Sequence, residues 1–210
     1  MPDLSYEIAA YSQGKKIICG IDEAGRGPLA GPVSVAAVIL PRDFSLVGLD
    51  DSKKISPKKR DALYEKLLGD QRVLWAQVCA DAQEVDKKNI LRATHDSMAA
   101  AVVALQQKYQ LEIDYCLIDG LPVKNFPFPH EGIVKGDGKS LSIAAASIIA
   151  KVTRDLVMLE YAREFPDYGF EKHMGYGTKQ HVSALEKYGP CRIHRRSFQP
   201  VSQLTFPFDS

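Results

Sequence analysis

Ile17-Ile18-Cys19-Gly20-Ile21-Asp22-Glu23-Ala24-Gly25-Arg26-Gly27-Pro28-Leu29-Ala30-Gly31-Pro32-Val33-Ser34-Val35-Ala36-Ala37-Val38-Ile39-Leu40 is the stretch that sets the architecture. The apolar run from Lys16 to Ile21 stops at two acids, and Val33 to Leu40 is a β-branched run between Pro32 and Pro41, so both read as strands. The Gly/Pro-rich connection between them lets backbone approach another surface closely.

Outward from there, strand and helix signals alternate. Val73 to Ala80 is a further strand, and Ser56-Pro57 ahead of Lys58 to Tyr64 reads as an N-cap with proline in the first helical turn. Met98, Val102, Leu105 and Tyr109 recur at helical spacing within a helix expected near Asn89 to Gln107, and Tyr115 to Ile118 is a strand ending at Asp119-Gly120. From Ser140 a long helix carries the stripe Leu141, Ala145, Ile148, Val152, Leu156, Leu159, with Lys151 and Arg154 off the stripe. A last helix spans Thr178 to Tyr188 and stops at Gly189-Pro190. This pattern predicts one α/β domain, placed at residues 15–200, with a tail at 201–210.

Composition bounds the class. The chain has 210 residues, 27 Lys+Arg against 26 Asp+Glu, and 45% hydrophobic residues, which fits a globular domain able to fold without disulfides or structural metal. Nothing approaches the ~20 apolar residues of a spanning helix, and the N-terminus lacks a signal-peptide pattern. The four cysteines form no CxxC pair, so the expectation is reduced thiols in a cytoplasmic protein. A net charge of +1 at first argues against a nucleic-acid partner. Residues 172–196, however, hold Lys172, Lys179, Lys187, Arg192, Arg195 and Arg196 against Glu186 alone, interleaved with Tyr176, His173, His181 and His194.

The acids carry the chemistry. Asp22, Glu23 and Asp119 fall at strand ends, and Asp137 lies between Ile133-Val134 and the long helix. In α/β sheets such positions converge on one edge, where sites form. Carboxylates gathered there repel unless protonated or neutralised by cations. An all-oxygen set suits Mg²⁺ or Mn²⁺, and two such ions could serve phosphodiester cleavage. Taken singly, each acid also reads as a solvated loop residue. Lys139, Ser140 and Ser142 at the helix start, with Lys53 and Lys54, are groups suited to phosphate.

The chain closely resembles bacterial ribonuclease HII, the type 2 ribonuclease H family. The resemblance runs through Gly20 to Pro32, Asp51-Ser52-Lys53-Lys54, Ile118-Asp119-Gly120 and Lys135-Gly136-Asp137-Gly138-Lys139-Ser140. It continues along Ile143 to Asp155, Gly175-Tyr176-Gly177-Thr178, Gly189-Pro190 and His194-Arg195-Arg196-Ser197-Phe198. It implies a ribonuclease H-like fold with a mixed central sheet flanked by helices and a helical C-terminal portion. The implied activity is endonucleolytic cleavage of RNA in RNA/DNA hybrids and incision 5′ of ribonucleotides embedded in duplex DNA, leaving 3′-hydroxyl and 5′-phosphate ends. Asp22, Glu23, Asp119 and Asp137 correspond to the family's metal ligands, serving two-metal hydrolysis with Mg²⁺ or Mn²⁺. Gly25, Arg26 and Gly27 correspond to the loop that senses the ribose 2′-hydroxyl, and Tyr176 to the tyrosine at the junction with the next deoxyribose. A monomer is expected, without the extra N-terminal domain of type 3 enzymes.

Two positions depart from the family pattern: Gly138, where alanine or serine is expected, and Leu121-Pro122-Val123, where a polar stretch is expected. Two other classes use the same residues, a non-catalytic hybrid binder and a metal-dependent DNA nuclease or resolvase; metal-dependent turnover excludes the first and an uncut all-DNA duplex the second. Gln203-Leu204-Thr205-Phe206-Pro207-Phe208 is similar to peptides that dock on the replication sliding clamp, the alternative being that Phe206 and Phe208 pack back on the domain. Near-neutral overall charge then sums an acidic centre and a basic C-terminal stretch, and predicts a moderate salt dependence of binding.

Overall fold

The computed structural model describes residues 1–49, 52 and 55–204. Its strands are β1 (Ile18–Ala24), β2 (Val33–Ile39), β3 (Leu74–Ala80), β4 (Tyr115–Asp119) and β5 (His130–Ile133). They form one mixed sheet in the order β3-β2-β1-β4-β5. β1 runs antiparallel to β2, and β2 to β3, while β4 is parallel to both β1 and β5. The hairpin-like first half and the parallel second half meet at β1, which is where the acids lie.

Alternation along β2 shows how the two layers form. Val35 and Ala37 face a core shared with Met98, Val102 and Leu105 of α4 (Ile90–Tyr109). Ala36 and Val38 face the opposite way, onto Ala145 and Ile148 of α5 (Leu141–Glu164) and onto Leu63 and Leu67 of α2 (Pro57–Gly69). Both faces of β2 are thus covered, so it is apolar but for the buried Ser34 and does not alternate with polar residues. The expected Ser56 cap holds, its hydroxyl accepting from the Lys59 N–H, and Thr178, expected as the first residue of the last helix, caps it by accepting from the His181 N–H.

α5 sits close on the sheet because Gly20 in β1 has no side chain; a Cβ there would fall on the backbone of Ser142 and Ile143. We expect Gly20→Ala to cost about 3 kcal/mol by forcing helix and strand apart. Chemical unfolding checks this, and a loss below about 1 kcal/mol would show that α5 shifts freely.

The long helix differs from its predicted stripe. Every residue from Leu141 to Ala150 is buried, whereas Leu156 and Leu159 are 50% and 38% exposed. Arg154, placed off the stripe by periodicity, is fully buried. The cause is that the first half of α5 is enclosed between sheet and loops, and its second half leaves the sheet. There Arg154 and Met158 turn onto the 25–32 connection and α6 (Phe170–His173).

β1 also runs past Ile21 to Ala24, pairing Asp22 with Ala36 and Glu23 with Val35. The periodicity gives no sign of α1 (Ser5–Ser12), α3 (Ala82–Lys88) or β5, all short elements. α7 (Lys179–Tyr188) ends at Gly189 as expected. The four cysteines are free thiols; Cys19 and Cys116 are buried side by side across β1 and β4, and Cys79 is exposed. No helix among the described residues is long and apolar enough to cross a membrane. Val201, where the tail was expected to begin, is buried with Leu204 packed against its cluster.

Candidate metal centre and nucleic-acid cleft

Carboxylate oxygens of Asp22, Asp119 and Asp137 lie within 4.8 Å of one another. Asp22 comes from β1 and Asp119 from the end of the neighbouring parallel strand β4, so sheet pairing itself sets their spacing. Asp137 arrives on the tight turn Gly136–Gly138 between β5 and α5, with Gly138, the unusual residue, as its third member. That turn is tied to the sheet by the Gly136 N–H, which donates to Asp119 Oδ1 at 2.6 Å. Asp22 and Asp137 are buried and Asp119 half-buried.

Three acids in so small a volume work against one another. Burial pushes the Asp22 carboxyl well above its usual range, and the charges of Glu23, Asp119 and Asp137 push it further. An all-oxygen donor set of net negative charge fits a hard divalent cation, which removes that repulsion. Glu23 lies outside the 4.8 Å group. Successive strand residues point to opposite faces, and its carboxylate instead accepts from Arg26 Nη1 at 3.2 Å. It remains close enough to raise Asp22.

Glu23 and Arg26 stand between two clefts. One, of about 220 Å³, is lined by Gly25, Arg26, Ser52, Lys151, Arg154 and Tyr176, so the glycine–arginine loop and the tyrosine are brought together beside the acids. Gly27 faces the Tyr176 ring, which is 47% exposed. The other, of about 380 Å³, runs past Asp119 between His95 on α4 and Leu121-Pro122-Val123, so the departure from the family pattern forms a wall beside the metal centre.

Two buried arginines shape the loop. Arg195 donates to the carbonyls of Gly25 (2.5 Å), Arg26 (2.8 Å), Pro28 (2.9 Å) and Gly31 (2.9 Å). Arg154 donates to the carbonyls of Pro32 (2.9 Å), Ala30 (3.2 Å) and Met174 (3.0 Å). In a planar trans peptide, the C=O and the following N–H point opposite ways. With the Gly25 and Arg26 carbonyls drawn onto Arg195, the N–H groups of Arg26 and Gly27 are aimed away from it. Gly25 itself has φ +94, and a Cβ there would strike Arg154.

Several expected phosphate groups sit differently. Ser140 is fully buried: its hydroxyl donates to Glu7 and accepts from the Ile143 N–H, so it caps α5 and does not face a substrate. Lys139 is exposed. Lys53, with Lys54, lies outside the described residues, as do Thr205 to Phe208 of the tail motif. In the basic stretch Arg195 is internal, Arg192 is exposed but pairs with Glu164 at 2.6 Å, and Lys172, Lys179, Lys187 and Arg196 are exposed. Arg154, Arg195 and Glu7 escape sequence reasoning because their partners are mostly loop carbonyls or distant serines, which leave no periodic trace.

The three interleaved histidines are structural. Cys191 N–H donates to His194 Nδ1 (3.0 Å), and His181 Nδ1 lies 2.9 Å from the Tyr176 carbonyl, which can only accept. His194 Nε2 must therefore donate to His181 Nε2 across 2.9 Å. Protonating either ring puts two donors face to face. Burial holds His181 at about 4 and His194 at about 3. Both lie below the unfolded value near 6.5, so their contribution is complete above pH ~6.5 and is lost as pH falls toward 4. We expect urea unfolding to show a loss of roughly 4 kcal/mol between pH 7 and 5, about half from each ring, with a flatter profile in His194→Gln. Equal profiles would remove the relay from the account.

The fold and this acidic centre define a metal-dependent nuclease of ribonuclease H architecture. The family model for ribonuclease HII matches residues 19–201, and the chain belongs to that family. It is 51% identical to the ribonuclease HII of Enterococcus faecalis over 199 residues, covering 95% of this chain and 76% of the relative. The fold is shared with ribonuclease HII in the PCNA complex from Archaeoglobus fulgidus (TM-score 0.73, 24% identity, 88% of this chain and 96% of that one). It is shared also with Bst-RNase HIII in complex with Mn²⁺ (TM-score 0.67, 17% identity, 93% and 71% covered).

Proposed function

We propose that the enzyme hydrolyses the RNA strand of RNA/DNA hybrids and incises on the 5′ side of ribonucleotides embedded in duplex DNA, leaving 3′-hydroxyl and 5′-phosphate ends. The observation that carries this is the cluster of Asp22, Asp119 and Asp137 next to Glu23, which lines one cleft together with Gly25, Arg26 and Tyr176. Asp22, Asp119 and Asp137, with Glu23 beside them, would hold two Mg²⁺ or Mn²⁺ ions. When bound, such ions supply an activated water and stabilisation of the leaving 3′-oxygen.

The chain's own groups supply position and selectivity. The N–H groups of Arg26 and Gly27, turned away from Arg195, offer fixed donors to a 2′-hydroxyl, the group that separates ribose from deoxyribose. The exposed Tyr176 ring offers a flat apolar face to the neighbouring sugar. Arg26 in the loop, Lys139 two residues after Asp137, and Lys53 act on phosphates.

The test compares a duplex with one ribonucleotide, a continuous hybrid and an all-DNA duplex, each with Mg²⁺, Mn²⁺ or chelator. The first two are expected to be cut only with metal, and the third left intact. Cutting of the all-DNA duplex at a comparable rate sinks the proposal. We further propose that Gln203–Phe208 docks on a sliding clamp, in keeping with the PCNA complex of the Archaeoglobus protein. Unchanged clamp binding after deletion of 203–210 disposes of that. Acting on chromosomal substrates places the enzyme in the cytoplasm.

A further inference from the structure

The start of α5 does hold an anion, but it is one the protein supplies. Glu7, on α1, is 3% exposed, and its Oε1 accepts from Ser140 Oγ (2.6 Å), Ser142 N–H (3.0 Å) and Ser142 Oγ (2.5 Å). Its Oε2 is buried with no hydrogen-bond partner. Asp3 adds backbone bonds on the same turn, donating to the Lys139 carbonyl (3.1 Å) and accepting from Leu141 N–H (3.0 Å). α1 is seated by Tyr6, Ala10 and Tyr11 against Ile133 and Ile143. Asp3, Glu7 and α1 lie ahead of residue 19, where the family match begins.

A buried carboxylate with one idle oxygen costs stability, so its position calls for a role. The segment Gly136–Ser140 is pinned at one end by Asp119, through the Gly136 N–H, and at the other by Glu7, through Ser140. It is closed between by the Lys139 and Ser140 N–H groups on the Gly136 carbonyl (2.9 and 2.8 Å). Asp137 sits inside that clamp. We propose that Glu7 is a positioning residue, holding the turn that presents Asp137 so that the three aspartates keep their spacing before any metal arrives. This rests on the reading of Asp22, Asp119 and Asp137 as metal ligands.

Mn²⁺ binding to the full-length protein, measured by calorimetry without substrate, tests it. Loss of an outer partner of a metal ligand typically weakens affinity 10–100-fold, and Glu7→Ala is expected to fall about 10-fold. Glu7→Gln, which keeps an acceptor for the same three donors, should bind within about 3-fold of wild type. Leu67→Ala, a core change on α2, should lower the melting temperature without moving Mn²⁺ affinity. If Glu7→Ala does not fold, Glu7→Asp, one methylene too short to reach both serines, carries the test with an expected weakening of at least about 3-fold. Wild-type affinity in folded Glu7→Ala or Glu7→Asp, or equal weakening in Leu67→Ala, overturns the proposal. No Mn²⁺ binding by the wild type instead overturns the metal reading beneath it.

Discussion

Asp22→Asn is expected to lower the kcat of metal-dependent cleavage by about a thousandfold or more, yet to melt higher than the wild type in the metal-free state. The first effect follows from removing one of three carboxylates; a thousandfold corresponds to about 4 kcal/mol of lost transition-state stabilisation. The second follows from the field at the site. Asp22 is buried against the charges of Glu23, Asp119 and Asp137, so ionising it in the folded state is unfavourable. An asparagine keeps the one bond the structure gives its Oδ1, acceptance from the Glu23 N–H at 2.7 Å, and brings no charge.

The sign with pH is fixed by the same argument. The folded carboxyl titrates above the unfolded one, so the wild type loses stability relative to Asp22→Asn as pH rises from about 4 through that raised value, and the two converge in acid. At pH 7 without metal the variant should gain about 1–2 kcal/mol, and saturating Mg²⁺ should close the gap by stabilising only the wild type. Asp119→Asn should share the loss of activity. Paired urea titrations with chelator and with Mg²⁺ decide it: a metal-free variant less stable than wild type refutes the account of the cluster as a strained, cation-requiring site.

Why the aspartates were legible and other groups were not has a physical basis. Asp22, Asp119 and Asp137 sit where an apolar run stops, inside β1 for Asp22, at the end of β4 for Asp119 and in the turn after β5 for Asp137, and such stops are marked locally. The sheet then brings them together through pairing that the alternation already implies. Arg154 had the opposite fate: its helix is periodic, but its burial is decided by the Pro32, Ala30 and Met174 carbonyls, which are contributed by two separate loops. The basic stretch misled in the same way, because a count of charges cannot separate Lys179 on a helix surface from Arg195 beneath a loop. The histidines interleaved with that charge have their ring nitrogens spent on one another and on backbone. Glu7 lies on an eight-residue helix whose apolar face is too slight to read.

Replacing Arg195 has the largest expected effect on stability. Its guanidinium makes five bonds to four carbonyls of the 25–31 loop, with no carboxylate among the described residues in direct contact, and lies 5.1 Å over the Phe198 ring. Burial, with the neighbouring Arg154 charge, draws it down to about 9, so it is still a cation at neutral pH. Removing it leaves several buried carbonyls without donors, each costing about 1–3 kcal/mol less whatever water recovers; Arg195→Ala should lose roughly 3–5 kcal/mol. Arg195→Lys is the sharper probe, since an ammonium keeps the charge but cannot span carbonyls that the planar fork reaches at once. It should still lose about 2 kcal/mol. Because the fork also turns the Arg26 and Gly27 N–H groups outward, Arg195→Lys should cut kcat/KM on a single-ribonucleotide duplex by about a hundredfold, a loss of near 3 kcal/mol. On a continuous hybrid, where many registers present a ribose, the loss should be smaller. Urea unfolding together with the two cleavage rates separates the roles: equal losses on both substrates would mean that Arg195 only holds the fold, and a lysine variant of wild-type stability would mean that charge, not the fork, holds the loop.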